Sequence, residues 1–551
     1  MSPKKLMTAT LLASVLAGQA QEIRLNIIPE PQTVTATGDS TFNLKRGMPV
    51  RISDKTLQFP AEYLVDYLDR YLGIPLQVHP AGHKGRKVQE EATSSISGVW
   101  LVDEKNGGTS GGYVLDISHE NGIRITGNDA AGVFYGIQTF IQMLPTRAGV
   151  VPRLPEVEIE DSPRFAYRGM HLDVVRHFFP VAYIKRYIDF LALHKLNYFH
   201  WHLTDDQAWR LELKCRPELT AKGSEREGEI EGLYPGKYKP LPYGGYYTQD
   251  DVREVVRYAA ERYITVIPEI DIPGHCMAVL AVYPQFSTTP DEAKKCALTW
   301  GIFNKFNNVL APKPEVFDFL ADVFSEVCDL FPGQYIHVGG DECAKRWWQE
   351  SEETQSFMRE HGLKDEKALQ SYFIHYVQRV VNAKGKTLIG WDEILQGGIS
   401  EDCIVMNWRR PDQGVKSIRT GHRTIFTASA WSYFNLKESR TQREIAPRGP
   451  LSLEKVYNYS IVPDSLTAEQ EKLVWGTQGC LWTEYIPTTW KAEFALFPRM
   501  AALAENAWSM PERKDWNRFV NKMPVQFDRY DLWGIRYSDV FFRTEDVERI
   551  R

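Results

Sequence analysis

The chain has 551 residues, 43% of them hydrophobic, which is too many for one small domain and enough to bury a large core. Its 65 basic residues stand against 71 acidic ones, a net charge of -6. That balance excludes the electrostatic footprint of a nucleic-acid or anionic-membrane binder and favours a neutral partner.

In chain order, residues 1–20 read as an export signal: Lys4 and Lys5, an apolar stretch to Leu16, then small residues ending at Ala20. The apolar run is too short to span a bilayer, and no later run reaches the roughly 20 uninterrupted apolar residues of a membrane helix. "SVLAGQ" carries no cysteine for acylation, so a soluble periplasmic or secreted protein is expected. Seven cysteines without CxxC spacing argue against a zinc cluster, and their odd number leaves at least one thiol unpaired.

Residues 21–160 suggest a small α+β domain. "EYLVDYLDRYLG" (62–73) reads as a helix closed by glycine, and "GYVLDISHENGIRITG" (112–127) as a hairpin turning at Asn121-Gly122. "DAAGVFYGIQTFIQML" (129–144) reads as a second helix, and the proline-containing stretch 147–164 as the boundary.

From 161 to 515 the rhythm becomes strand, polar tip, helix. Candidate strands lie at 167–173, 197–203, 264–271, 335–340, 387–393, 403–408, 424–429 and 476–482, mostly with helices between them. Before the fourth, Phe317, Leu320, Phe324, Val327, Cys328 and Phe331 fall along one helical face. Eight such units predict a catalytic (β/α)8 barrel. A doubly wound sheet would want a glycine-rich phosphate loop after its first strand, and none is present. Residues 516–551 are expected to form a C-terminal extension packing on the barrel.

Barrel chemistry sits at the carboxyl ends of the strands. Those ends carry Asp173, Arg176, His202, Asp205, Asp206, Glu269, Asp271, His275, Asp341, Glu342, Trp391, Asp392, Trp408, Tyr433, Trp482 and Glu484. Carboxylates and indoles converging on one mouth suit carbohydrate, whose C–H faces stack on rings while its hydroxyls need polar partners. In "HVGGDEC" (337–343), Asp341 and Glu342 are chain neighbours. They cannot easily straddle a glycosidic bond as the two carboxyls of ordinary glycosidases do. One proton donor with a substrate-supplied nucleophile, a C2 acetamido oxygen, fits them better: Glu342 as acid, Asp341 as the orienting anion.

Two other readings suit some of these residues. His200, His202 and His275 with nearby acids could ligate zinc, but the later strand ends offer carboxylate or tryptophan instead of further histidine, so neither metal nor cofactor is expected. A sugar-binding module without catalysis would need neither an acid nor Tyr433. Asp173 and Asp206 are equally well read as salt-bridged strand tips.

"HVGGDE", with "RGMHLDVVRHFF", "NYFHWHLTDDQAWR", "PEIDIPGH", "GWDEIL" and "GCLWTEY", closely resembles the β-N-acetylhexosaminidases of glycoside hydrolase family 20, and "IIPEPQTV" and "GVFYGIQTFIQML" extend the likeness into the N-terminal domain. The resemblance implies exo-acting release of terminal β-linked N-acetylglucosamine or N-acetylgalactosamine from glycans, with retention, through an oxazolinium intermediate. It implies Glu342 as general acid/base and Asp341 as the holder of the acetamido nitrogen. Tyr433 would donate to the acetamido carbonyl, and Trp391, Trp408 and Trp482 would wall its pocket. Arg168 and Glu484 would bind sugar hydroxyls, and Asp205 with His275 would hydrogen-bond towards the acid. Where the family commonly carries an aspartate two residues after the tyrosine, this chain has Asn435, which removes a charge from the far hydroxyl site.

Overall fold

The computed structural model describes residues 25–79, 98–233, 235–298, 307–440, 442–447 and 449–542. The expected export signal, and the extension beyond 542, lie outside the described residues. No helix among them is long and apolar enough to cross a membrane.

The N-terminal domain is one mixed sheet backed by helices. Its strands are β1 (Thr33–Asn43), β2 (Pro49–Ile52), β3 (Gln77–His79), β4 (Val99–Asp103), β5 (Tyr113–Ser118), β6 (Gly122–Gly127) and β7 (Arg153–Asp161), in the order β1-β7-β5-β6-β4-β2-β3. The hairpin forms as expected, with Gly122 at φ 78° after the turn. Helix α1 (Gln58–Tyr67) starts four residues earlier than the sequence suggests and continues in a wider turn to Leu72, where left-handed Gly73 stops it. Helix α2 (Ala130–Gln142) is capped by the Asp129 side chain on Gly132 N. The domain boundary lies at the end of the expected stretch, whose residues 153–161 form β7, paired with both β1 and β5. Leu154, Val157 and Ile159 alternate inward and pay for the strand despite Pro155, which sits where the pairing with β1 slips register.

The second domain is a closed parallel barrel of β8 (Tyr167–Asp173), β9 (Tyr198–His202), β10 (Thr265–Glu269), β11 (Tyr335–His337), β12 (Thr387–Trp391), β13 (Ile404–Asn407), β14 (Thr424–Phe426) and β15 (Val474–Leu481). All eight predicted strands are present. Helices cover the outside: α3 (Val181–Leu193) buries Ile184, Tyr187, Ile188 and Leu191, and α4 (Pro314–Leu330) turns the apolar face seen in the sequence inward. Ile267, Ile389, Ile404, Met406 and Ile425 fill the barrel, and Tyr167, Tyr198, Tyr335 and Trp475 close its amino end with rings 4.3–6.2 Å apart.

After α5 (Arg499–Trp508), helix α6 (Trp516–Leu532) packs on the barrel and on the N-terminal domain. Lys522 Nζ donates to Ile27 O, Arg529 to Asn26 O and Gln142 O, and Trp533 Nε1 to Tyr67 OH. Between the domains, Lys195 Nζ is buried 3.1 Å from Asp161, which also accepts from Tyr113 OH and Trp508 Nε1. All seven cysteines are free, six of them buried.

Candidate active site

Strand register builds the floor of the site. Asp173 pairs with His202, His202 with Glu269, and Glu269 with His337, so four polar residues stand side by side at the carboxyl ends of β8 to β11. His202 donates to two carboxylates, with Nδ1 2.7 Å from Glu269 Oε2 and Nε2 3.0 Å from Asp205 Oδ2. Asp205 Oδ1 meets His275 Nδ1 at 2.9 Å. His275 Nε2 faces Asp341 Oδ2 at 3.5 Å and Glu342 Oε2 at 3.7 Å.

The "GGDE" turn explains its own composition. A Cβ on Gly339 would lie 1.9 Å from Asp271 Oδ1, and both glycines have positive φ. This tight turn delivers two acids to different surroundings: the Asp341 side chain is 13% exposed, with Oδ1 buried and unpartnered, whereas Glu342 is 45% exposed. Glu342 (φ 42°) and His275 (φ 48°) both hold left-handed backbone, a strained state that persists where surrounding structure enforces it.

Burial is the largest influence throughout, outweighed by opposite charges at Asp205, His275 and His202 but not at Asp271 and Asp206. Burial alone would raise the Asp205 carboxyl, but Arg176, then His275 and His202, hold it well below its usual value. Burial opposes charge on His275, yet Asp205 and Asp341 raise it well above an ordinary imidazole. His202 is likewise pushed up to about 10 by Glu269 and Asp205 against its burial. Burial and Asp341 push Asp271 far up, while its Oδ1 accepts from Gly340 N. Burial, aided by Asp205, moves Asp206 up to about 6.

These groups open onto a cavity of about 490 Å³ lined by Arg176, Asp205, Asp271, His275, Asp341, Glu342, Trp408, Tyr433, Asn435, Lys455, Trp482, Glu484 and Tyr485, among others. Trp408 and Tyr433 lie nearly parallel, 19° apart with centroids 6.2 Å apart, and Trp482 is 6.2 Å from Tyr433. Glu393 fixes Trp408 through Nε1 at 2.8 Å. Burial raises Tyr433 far above an ordinary phenol, so its hydroxyl stays protonated and can donate. Asn435 Oδ1 and Glu484 Oε2 are buried without a partner, two acceptors available to ligand hydroxyls.

Most expected residues meet here, with two differences. Trp391 is 1% exposed and stands behind Trp482 at 6.0 Å, its Nε1 donating to Glu269 Oε1 at 2.7 Å. It backs the pocket wall without lining the cavity. Arg168 is a correction. It sits at the amino end of β8, donating to Lys195 O and Phe165 O and stacking over Trp508, on the far side of the barrel. The arginine in the cavity is Arg176, 2.7 Å from Asp205 and 3.2 Å from Asp173, with its guanidinium 5.0 Å from the Trp482 ring centre. The barrel rule carried the signal for it, since Arg176 lies three residues beyond the carboxyl end of its strand.

Asp173 is structural: it caps Val175 N and accepts from Thr483 N besides holding Arg176. Asp206 accepts from Met277 N and Asn307. The loop 222–245 forms two short antiparallel ribbons against the mouth, where Arg226 donates to Arg176 O and Phe178 N to Tyr243 OH. Three acid–imidazole groups have cation-binding spacing among the described residues: His171–His200–Glu269, Asp205–Asp206–His275 and Asp271–His275–Asp341. None joins His200, His202 and His275 as the metal rival requires.

Comparison with known proteins agrees with this layout. The family model described as glycosyl hydrolase family 20, catalytic domain, matches residues 165–511, and that family's domain 2 matches 24–162. A β-hexosaminidase of Porphyromonas gingivalis is 40% identical over 93% of this chain, which spans 64% of that relative's length. One from Vibrio furnissii is 32% identical over 87% of this chain and 76% of its own. Among solved structures, an exo β-N-acetylglucosaminidase from Vibrio harveyi in complex with N-acetylglucosamine superposes with TM-score 0.78 at 30% identity, covering 94% of this chain and 79% of that one. A β-N-acetylhexosaminidase from Streptomyces coelicolor gives 0.77 at 31%, covering 93% and 97%.

Proposed function

The chain belongs to glycosyl hydrolase family 20, and from that membership we propose that it is an exo-acting β-N-acetylhexosaminidase working by substrate-assisted catalysis. One observation carries the mechanism. Asp341 Oδ2 and Glu342 Oε2 both lie within 3.7 Å of the same nitrogen of His275, on one side of the cleft, so the pair does not bracket a sugar as acid and nucleophile would.

In the proposed reaction Glu342 gives its proton to the glycosidic oxygen as the C1–O bond breaks. The acetamido carbonyl oxygen of the same sugar bonds to C1, forming a cyclic oxazolinium. Asp341 holds the amide N–H and offsets the positive charge, while Tyr433 donates to the carbonyl oxygen and aims it. Trp408 and Trp482, backed by Trp391, confine the acetamido group. Water then attacks C1 from the side the aglycone left as the ring C1–O bond of the oxazolinium breaks and restores the acetamide, Glu342 takes the water's proton, and the configuration is retained. Glu484, Arg176 and Asn435 hold the hydroxyls of the terminal sugar. The substrates are glycans ending in a β-linked N-acetylhexosamine, met outside the cytoplasm if residues 1–20 act as an export signal.

The test uses 4-nitrophenyl N-acetyl-β-glucosaminide beside the matching glucoside, in which hydroxyl replaces acetamide. The first should turn over and the second should be nearly inert. Rapid cleavage of the glucoside, or a trapped sugar ester on a protein carboxylate, would refute the mechanism.

A further inference from the structure

The family resemblance sets Asp205 and His275 behind the acid but leaves His202 and Glu269 without a task. Both are fully buried, and neither lines the cavity. Ionised carboxylates only accept hydrogen bonds, so an imidazole with a carboxylate at each nitrogen must donate from both, as a cation. Glu269 is held in turn: Oε1 accepts from Trp391 Nε1 at 2.7 Å, and His200 Nε2 stands 2.9 Å from Oε2. A continuous line therefore runs from the wall tryptophan through Glu269, His202, Asp205 and His275 to the two catalytic acids. The adjacent pairing of Asp173, His202 and Glu269 across β8, β9 and β10 fixes its inner half on rigid strands.

Resting on the function proposed above, we infer that His202, anchored by Glu269, is a positioning residue for proton donation by Glu342. Asp205 carries bonds to Arg176, His275 and His202 at once. Oδ2 is held from two sides, by Arg176 at 2.7 Å and His202 at 3.0 Å, while Oδ1 accepts from Asp206 N and meets His275. Without His202 the arginine pulls on Oδ2 from one side only, the carboxylate tilts about that contact, and His275 Nε2 shifts from its place beside the acids. Buried ionic networks lose directional support as a unit when one member goes. The loss falls on proton donation, since His202 lines neither the acetamido pocket nor the sugar hydroxyl sites and meets Trp482 only from behind, edge-on with ring centres 5.0 Å apart.

The experiment measures kcat/KM, which reports the steps up to aglycone departure, for two N-acetyl-β-glucosaminides. One carries 2,4-dinitrophenol, which departs without a proton, and the other methanol, which needs one. Their ratio does not depend on how much of a variant is folded. For His202→Gln and Glu269→Gln the expected loss is about 30-fold or more with the methyl glycoside and under about 3-fold with the dinitrophenyl one, within the usual 10²–10⁴ reach of general acid catalysis. Gln at 202 keeps a donor towards Asp205, so His202→Phe should lose more than His202→Gln on the methyl glycoside alone. Equal losses on both substrates, complete inactivity included, or no loss on either, overturn the assignment. Glu342→Gln is the reference. If it shows no such discrimination, the proposed function itself fails, whatever the His202 variants do.

Discussion

Arg176→Gln tests the charge arrangement most directly. The guanidinium is 5% exposed and lies 2.7 Å from Asp205 and 3.2 Å from Asp173, both fully buried. At an effective dielectric of about 20 each contact carries roughly 5–6 kcal/mol of attraction, much of it offset by desolvation, and breaking such a buried pair costs about 3–5 kcal/mol net. Burial alone would raise the Asp173 carboxyl, yet Arg176, then His202, hold it below its usual value. Its share of stability is therefore complete above the unfolded carboxyl range near pH 4 and lost as pH falls through the lowered folded value. In the variant, burial and repulsion from Asp205 act without Arg176, and Asp173 moves up instead. The variant's folded state then takes up a proton before its unfolded state does, so its deficit should shrink as pH drops from 7.5 to 5. Unfolding followed by tryptophan fluorescence at the two pH values measures this. A deficit below about 1 kcal/mol, or one equal at both pH values, would refute the reasoning.

Asp341→Asn should lower kcat by about 10²–10³ with little change in fold, since it removes the anion facing the developing oxazolinium, and unchanged turnover removes its role. Glu484→Gln takes the charge from a buried, unpartnered acceptor in the cavity. It should cost about 1.5–3 kcal/mol in kcat/KM, a 10- to 100-fold loss on N-acetylglucosaminides, with melting unchanged or improved. Lys195→Met leaves Asp161 charged and buried between the domains and should destabilise the protein by about 3–5 kcal/mol without altering kcat of the folded fraction. Calorimetry beside initial rates separates those two effects.

What the sequence by itself determined is what depends on neighbours along the chain. The eight barrel strands show as short, largely apolar runs ending in polar tips, because a strand buried on both faces admits a polar group below the mouth only where it finds a partner, as Arg168 and Gln478 do. The Asp341–Glu342 pair, the glycines before it, and Tyr433, Trp408 and Trp482 could be singled out because each lies at such a tip. Direction along a strand was legible too: Arg168 opens β8 and Arg176 follows its end, so the barrel rule separates them where the likeness to a family did not. The short ribbons of the 222–245 loop, by contrast, carry too few residues for periodicity to register. Only the tertiary structure decided which polar tips touch. His202 and Glu269 are 67 residues apart, and their bond exists because two strands align in one register, a choice made by barrel closure and packing. The same holds for Trp391, placed behind Trp482 with its Nε1 on Glu269, 122 residues away along the chain. Side-chain partners across strands are set by the geometry of closure, and no local pattern encodes that geometry.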